Sequence, residues 1–192
     1  SRVVSLDFFW LNKNMKKNIL IIGYGDIGKR LTDILDSDLY NFLLVSRNNK
    51  YNSDDFIEWD WLSKKEFVHN FEKIDVVIFF PKPSRNDESG YEDGFKNSSE
   101  NLNKIISKLP IYKFISVSST RVYDKESKSS CKEIEPINPI EFRGKLIKEY
   151  EEKQIDFYND KLIILRFSGL YDSQSVKMSD NHLHRDNAAK II

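Results

Sequence analysis

From Asn18 onward, short apolar runs alternate with longer amphipathic stretches, which is the pattern of a parallel β-sheet with crossover helices. Several runs are almost continuously apolar, as is typical of strands covered on both faces. The predicted strands are Ile19–Ile22, Phe42–Ser46, Phe56–Trp59, Asp75–Phe80, Lys113–Ser118 and Lys161–Arg166. The predicted helices, with apolar residues three and four positions apart, are Gly25–Leu35, Lys64–Asn70, Asn97–Leu109 and Glu141–Gln154. The predicted fold class is therefore α/β, with a doubly wound parallel sheet in three α/β/α layers.

Two segments do not fit this alternation. Residues 1–14 contain an apolar core, Leu6–Leu11, but Asp7 interrupts it and lysines follow it, so it is a poor signal peptide. It is either a leader or remnant ahead of a natural start at Met15, or an extension whose aromatic face docks on the domain or on a second subunit. The Lys/Ser/Glu-rich stretch Asp124–Pro139 is too polar to be buried and predicts a surface loop.

Composition narrows the class of protein. The 192 residues suffice for one domain with a real core, and 30 basic side chains balance 30 acidic ones. This balance argues against disorder and against a nucleic-acid partner. The single cysteine, Cys131, excludes an internal disulfide framework and fits a reducing compartment, so the expected location is cytoplasmic. Because apolar runs of 18 residues are absent, no membrane span is predicted.

Three of the seven glycines form a Gly-x-Gly-x-x-Gly motif, Gly23, Gly25 and Gly28, between a predicted strand and a predicted helix. The first glycine permits a tight turn, the second lets the backbone approach a pyrophosphate, and the third lets the helix pack closely on the strand. The amides of Asp26 and Ile27 would then face the anion at the positive end of the helix. The motif predicts a Rossmann dinucleotide site, and the alternative is a tight turn without a ligand.

The end of the second predicted strand distinguishes NADP from NAD. A carboxylate there would bind the ribose 2′-hydroxyl, but the strand ends with Ser46 and Arg47. The Ser46 hydroxyl can donate a hydrogen bond, and the planar guanidinium of Arg47 suits a phosphate dianion. NADP is favoured over NAD, and the alternative is that Arg47 is a solvated loop residue.

A wider resemblance rests on four motifs that occur in order. They are Gly23–Gly28, Ser116–Tyr123 (SVSSTRVY), Leu165–Tyr171 (LRFSGLY) and Asn181–Ala189 (NHLHRDNAA). On these motifs, Lys17–Ile192 resembles an extended short-chain dehydrogenase/reductase. More narrowly, it resembles the atypical branch of NAD(P)-dependent epimerase/dehydratase, or nucleoside-diphosphate-sugar epimerase-like, proteins. The resemblance implies an oxidoreductase that acts on a nucleotide-sugar or similar small-molecule carbonyl or alcohol substrate.

The resemblance also implies roles for individual residues. Asp60 would lie near the adenine, and Phe80 with Pro81 near the ribose and nicotinamide. Ser119 corresponds to the family's Ser/Thr that hydrogen-bonds the substrate. The alternative for Ser119 is a strand-end hydroxyl that is satisfied by its own backbone.

The family's catalytic Tyr-x-x-x-Lys pair is missing, since none of the nine tyrosines has lysine at the fourth following position. In one register, Lys145 corresponds to the family lysine and Glu141 stands in place of tyrosine. In another register, Arg143 and Ile147 take the two positions. The candidate catalytic residues are therefore Ser119, Glu141 and Lys145, acting in an epimerase/dehydratase or reductase. The alternatives are a bound water that acts in place of the phenol, or a non-catalytic dinucleotide-binding regulator or interaction protein.

The C-terminal part favours packing over metal binding. His182 and His184 with Asp186 lack a convincing third ligand, and the corresponding family segment docks on the core, so no metal site is predicted. Family members continue well beyond this motif, so the substrate part of the 15–192 domain is expected to be short or truncated. A homodimer is the expected assembly if the chain associates.

Overall fold

A computed structural model describes residues 15–63, 65, 67–68, 72–123, 136–175 and 182–192. The N-terminal segment 1–14, Cys131 and residues 124–135 of the predicted polar loop lie outside the described residues. The described end of that loop, residues 136–139, has neither helix nor strand, as predicted.

Six parallel strands form the main sheet in the order β3-β2-β1-β4-β5-β6, which confirms the predicted class and all six predicted strands. They are β1 Lys17–Ile22, β2 Tyr40–Ser46, β3 Phe56–Glu58, β4 Ile74–Phe79, β5 Ile111–Ser119 and β6 Leu162–Phe167. The strand order reverses between β1 and β4, and the crevice at the carboxyl ends of these strands is where open α/β sheets bind ligands. A small second sheet pairs β7 Leu170–Tyr171 with β8 Leu183–His184.

The helices differ from the prediction mainly at their ends. They are α1 Asp26–Ile34, α2 Glu88–Tyr91, a π-helical segment Glu92–Asn97, α3 Ser98–Ile106, α4 Phe142–Tyr158 and α5 Arg185–Ile191. The predicted helix that starts at Asn97 is present as α3, but a helical run that was not predicted precedes it and begins at Glu88, where the Asp87 carboxylate accepts a hydrogen bond from the Gly90 amide. The predicted end of α4 at Gln154 was one turn too early.

The predicted helix Lys64–Asn70 falls largely outside the described residues. Lys65, Phe67 and Val68, which are described, are not helical. The indole N–H of Trp59 donates to the Lys65 carbonyl at 3.0 Å, and Phe67 packs on Trp59. The described residues Lys65 and Phe67 therefore contact Trp59, which directly follows β3, through a hydrogen bond and a buried aromatic contact.

The apolar strands are covered on both faces. On one face, α3 and α4 pack over the sheet, with the rings of Phe114 and Tyr158 stacked 3.9 Å apart. On the other face, Leu31 of α1 and Ala189 of α5 join Ile19 and Ile21 of β1. Residues 19–22 of β1 are buried on both faces of the sheet, which explains why they form a continuous apolar run.

A row of polar contacts joins α4 to the sheet. Ser116 and Ser118 lie on the α4 face of β5, where their hydroxyls pair with the Tyr150 hydroxyl and the Glu151 carboxylate. Arg166 of β6 donates to Glu151 from Nε at 3.0 Å and from Nη2 at 2.8 Å. This hydrogen-bonded pairing raises the pKa of the Arg166 guanidinium, and burial raises the pKa of the Tyr150 phenol. The Arg166–Glu151 pair stabilises the packing of α4 on the sheet, and removing either partner would leave the other charge buried without a counter-charge.

Replacing Glu151 with alanine is expected to lower the free energy of unfolding by roughly 3 kcal/mol, because the Arg166 guanidinium would keep its partial burial and lose its counter-charge. Urea-induced unfolding measures this change. Glu149→Ala, on the exposed side of the same helix, is the matched control and is expected to change stability by less than about 0.5 kcal/mol. Equal effects of the two substitutions would contradict a structural role for the Glu151–Arg166 pair.

Candidate functional site

The Gly23 turn is held between the carboxyl ends of β2 and β4. The amides of Gly23 and Tyr24 donate to the Val45 carbonyl at 2.9 and 3.0 Å. Gly23 has φ +84°, and a Cβ there would lie 2.5 Å from the Phe80 carbonyl oxygen. A side chain at this position is therefore excluded by both the backbone conformation and the neighbouring strand.

Gly25 is different, because the surrounding protein leaves room for a side chain. It is the N-cap of α1, and a Cβ there would meet only the Gly23 carbonyl oxygen, at an ordinary contact distance of 3.7 Å. No described residue accepts a hydrogen bond from the amides of Asp26 or Ile27. The half-buried start of α1 therefore offers unpaired donors and a positive dipole end, which is what an anion requires.

The Asp26 side chain binds arginines instead and connects α1 to the C-terminal segment. Its carboxylate accepts from Arg30 Nε at 3.2 Å and from Arg185 Nη1 at 3.2 Å. Arg185 also contacts Asp172, whose pKa is lowered chiefly by a hydrogen bond from the Ser175 hydroxyl. Two guanidinium groups thus offset the negative charge of Asp26 beside the candidate anion site.

The described residues of the Asn181–Ala189 motif pack beside α1 and the second sheet. The His184 ring accepts a hydrogen bond at Nδ1 from the Asp186 amide, so it caps the start of α5. The same ring lies edge-on to Tyr171, with centroids 5.2 Å apart. His182 lies against Gly169, beside the second sheet.

The ends of β2 and β3 bring Ser46, Arg47 and Asp60 to one edge of the sheet. The Ser46 carbonyl accepts from the Trp59 amide at 2.9 Å, which holds the two strand ends together. Arg47 is exposed, and its guanidinium carbon lies 5.9 Å from the centroid of the Trp61 ring. The Asp60 carboxylate accepts from the Leu62 amide at 3.0 Å in a local turn.

The ends of β4 and β5 carry the other predicted residues. Phe80 follows β4, and its amide donates to the Ile22 carbonyl at 2.9 Å, so Phe80 and then Pro81 lie directly beside the Gly23 turn. Ser119 ends β5, and its hydroxyl accepts from the Arg121 amide at 3.3 Å, capping the 3₁₀ turn Thr120–Val122. This contact agrees with the alternative given for Ser119, a strand-end hydroxyl that bonds to the local backbone.

The first turn of α4 packs on the 3₁₀ turn after β5. A Cβ at Gly144 would lie 2.5 Å from the Arg121 carbonyl oxygen, so the two backbones are in contact. The side chains of Glu141 and Lys145 are both exposed. The structure therefore brings the backbone of α4 to the strand end that carries Ser119 and leaves both candidate side chains at the surface.

Two features of this region were not predicted from the sequence. Arg143 Nη2 donates to the Asn86 carbonyl at 3.2 Å, in the loop after β4. Arg166 Nη1 donates to the Tyr123 hydroxyl at 2.8 Å, so the buried pair with Glu151 reaches the end of the Ser116–Tyr123 motif. A charged residue inside the apolar strand β6 was a signal that a buried partner exists, but it did not identify that partner.

The strand order and the glycine turn at the switch point define a Rossmann-type dinucleotide-binding protein. Residues 19–171 match the family model described as "NAD dependent epimerase/dehydratase family". The chain belongs to this family, which confirms the resemblance drawn from the four motifs and supports a nicotinamide dinucleotide as the cofactor.

Solved structures of similar fold include several nucleotide-sugar epimerases. UDP-glucuronic acid 4-epimerase from Bacillus cereus, in complex with NAD, has 19% sequence identity and a TM-score of 0.64, with 80% of this chain and 56% of that chain covered. UDP-N-acetylglucosamine 4-epimerase from Methanobrevibacter ruminantium M1, in complex with UDP-N-acetylmuramic acid, has 18% identity, a TM-score of 0.70, and coverage of 92% and 72%. The UDP-Glc/GlcNAc 4-epimerase from Campylobacter jejuni has 17% identity, a TM-score of 0.71, and coverage of 92% and 73%.

The chain thus spans little more than half of the Bacillus cereus enzyme. No match was found among curated proteins. Within the described part of the chain, none of the helices has the length and apolar character needed to cross a membrane.

Replacing Gly25 with valine is expected to abolish dinucleotide binding, because the side chain would occupy the space beside the unpaired amides of α1. Stability is expected to change by about 1 kcal/mol or less, since protein atoms leave room for the side chain. Titration of NADPH by fluorescence, together with thermal unfolding, measures both quantities.

Gly23→Ala provides the contrast. Its positive φ and contact with Phe80 predict a loss of stability of about 1–3 kcal/mol as well as weaker binding. Retained NADPH affinity in the Gly25→Val variant would contradict the assignment of the phosphate site.

Proposed function

We propose that this chain binds a nicotinamide dinucleotide across the switch point and prefers NADP, with NAD as the second choice. The observation that carries the proposal is the room at Gly25 beside the unpaired amides of Asp26 and Ile27. These atoms fit the diphosphate that both dinucleotides share. The preference for NADP rests on the exposed guanidinium of Arg47 and on Ser46, which follow each other at the end of β2.

The two halves of the dinucleotide would extend to opposite sides of the glycine turn. The adenosine half would lie toward Ser46, Arg47 and Asp60 at the ends of β2 and β3, and the nicotinamide half toward Phe80 and Pro81 after β4. When bound, the nicotinamide ring accepts or donates a hydride. The chain's own part is to hold the diphosphate and to leave one face of the ring open toward the end of β5.

The proposed reaction is an epimerase/dehydratase-like or reductase step on a nucleotide-sugar or a similar carbonyl or alcohol substrate. Family membership and the nucleotide-sugar epimerases of similar fold support this substrate class. Ser119 would contact the substrate oxygen. Glu141 and Lys145 flank the first turn of α4, and the Glu141 carboxylate can carry a proton in place of the missing phenol.

A second candidate function is a non-catalytic, dinucleotide-binding regulator or interaction protein on the same fold. The observation that favours it is the start of α4, where Glu141 and Lys145 are exposed, in a sequence that lacks the Tyr-x-x-x-Lys pair. An arginine at this position cannot exchange a proton near neutral pH. The homodimer and the cytoplasmic location stay predictions under either function.

Replacing Arg47 with aspartate is expected to shift the preference from NADPH toward NADH, because a carboxylate repels a 2′-phosphate and accepts from a 2′-hydroxyl. The ratio of the two dissociation constants, measured by fluorescence titration, is expected to change by at least about tenfold. Lys50→Asp, in the same loop with its ammonium near the Tyr51 ring, is the charge-matched control. An unchanged ratio in the Arg47→Asp variant would contradict the preference for NADP.

Turnover distinguishes the two candidate functions. The NADP⁺- or NAD⁺-loaded protein is incubated with a panel of UDP-sugars, and the reduced cofactor with simple carbonyl compounds, while absorbance at the nicotinamide band and sugar products are followed. An enzyme is expected to lose about 100-fold or more of its rate in the Glu141→Gln variant if that carboxylate carries the proton. Tight cofactor binding without any turnover would instead support the regulator.

A further inference from the structure

Arg143 lies where the loops after β4 and β5 meet. The proposed nicotinamide half of the cofactor would lie on this side of the sheet. Its Nη2 donates to Asn86 in the loop that begins at Phe80, and the neighbouring Gly144 contacts the Arg121 carbonyl in the turn that follows Ser119. The guanidinium is therefore at the carboxyl edge of the sheet, between the two strand ends that border the nicotinamide side of the crevice.

Aromatic rings hold the guanidinium in place. Its carbon lies 5.7 Å from the centroid of the Tyr91 ring and 5.3 Å from that of Phe142, and these two rings are edge-to-face. Such contacts stabilise a planar cation and fix its orientation without using its hydrogen-bond donors. The side chain is half-buried, so its position is more restricted than that of a solvated arginine.

The charge of Arg143 has no counterpart among the described residues. Three other half-buried arginines each contact carboxylates, namely Arg30, Arg166 and Arg185. For Arg143, the described residues provide one hydrogen bond, to a neutral carbonyl, and its buried Nε finds no acceptor. An arginine has five N–H donors, and leaving a charged donor buried without an acceptor is costly.

A guanidinium with a fixed plane and unused donors fits a two-oxygen anion. Phosphate and carboxylate both present such an edge, and the resulting charge-assisted pair is stronger than a neutral hydrogen bond. A structural arginine would be expected to have a carboxylate partner, as Arg166 has Glu151. The contrast between these two arginines indicates that Arg143 receives its anion from a ligand.

We propose that Arg143 is a substrate-binding residue that grips an anionic oxygen group, a phosphate or a carboxylate, of the substrate beside the nicotinamide. This inference rests on the proposed function and adds to it the residue that selects negatively charged substrates. It assigns a function to Arg143, which takes the position of the family tyrosine in one of the two registers. The role requires no proton transfer, which a guanidinium cannot perform.

The test measures binding of UDP, UDP-glucose and UDP-glucuronate to NADPH-loaded protein by isothermal titration calorimetry. In the Arg143→Gln variant, affinity is expected to fall at least about tenfold, because a charge-assisted pair is lost. Equal losses for all three ligands would assign the diphosphate to Arg143, and a loss confined to UDP-glucuronate would assign the carboxylate. Arg143→Lys keeps the charge without the fork and is expected to give an intermediate loss.

Two controls separate binding from structure. Lys148→Gln removes a positive charge one turn further along α4, where the lysine pairs with Glu152, and is expected to leave all affinities unchanged. The affinity for NADPH and the midpoint of thermal unfolding are measured for every variant. Unchanged UDP-ligand affinity in Arg143→Gln, a loss of NADPH affinity alone, or the same losses in Lys148→Gln would overturn the inference.

The outcomes also separate this inference from the proposed function. Wild-type protein that binds NADPH but none of the three UDP ligands would overturn the role of Arg143 and leave the dinucleotide site standing. Wild-type protein that binds neither NADPH nor NADH would contradict the proposed function itself. If Arg143→Gln fails to fold, the comparison of Arg143→Lys with wild type carries the test, since lysine preserves the contact of a cation with the rings.

Discussion

The close approach of the Gly23 backbone to the Phe80 carbonyl is the contact on which the site depends. It brings the end of β1 against the end of β4 at the one place where the strand order reverses. Because the backbone turns there with a positive φ, α1 starts immediately and its first amides emerge in the crevice. Any side chain at Gly23 would separate the two strand ends and move the start of α1.

The glycines at 23 and 25 serve different physical purposes. The protein itself has no space for a side chain at Gly23, whereas at Gly25 it leaves ordinary van der Waals room. The room at Gly25, beside the unpaired amides at the start of α1, is the observation that supports the proposed binding of a compact anion there.

Charge pairs position the rest of the site around this turn. Asp26 binds Arg30 and Arg185, so the C-terminal segment docks on α1 while the negative charge beside the candidate anion site is offset. On the other face, Glu151 and Arg166 join α4 to β5 and β6 and thereby fix the first turn of α4 against the end of β5. That placement brings Arg143 against the loop after β4, where, within the described part of the chain, a neutral carbonyl is its only hydrogen-bond acceptor.

The sequence by itself determined the local and repetitive features. Buried parallel strands show as apolar runs, and a turn that excludes side chains shows as a glycine, so six strands, the class of fold and the tight turn at Gly23 could be predicted. The start of α2 could not, because Gly90 and Gly94 indicate a loop until their packing against residues 82–85 is seen. Contacts such as Arg166–Glu151 and Arg143–Asn86 join residues 15 and 57 positions apart. Only the tertiary structure decided these contacts, because the partner of a charged side chain depends on which elements are neighbours in space. A local sequence pattern does not contain that information.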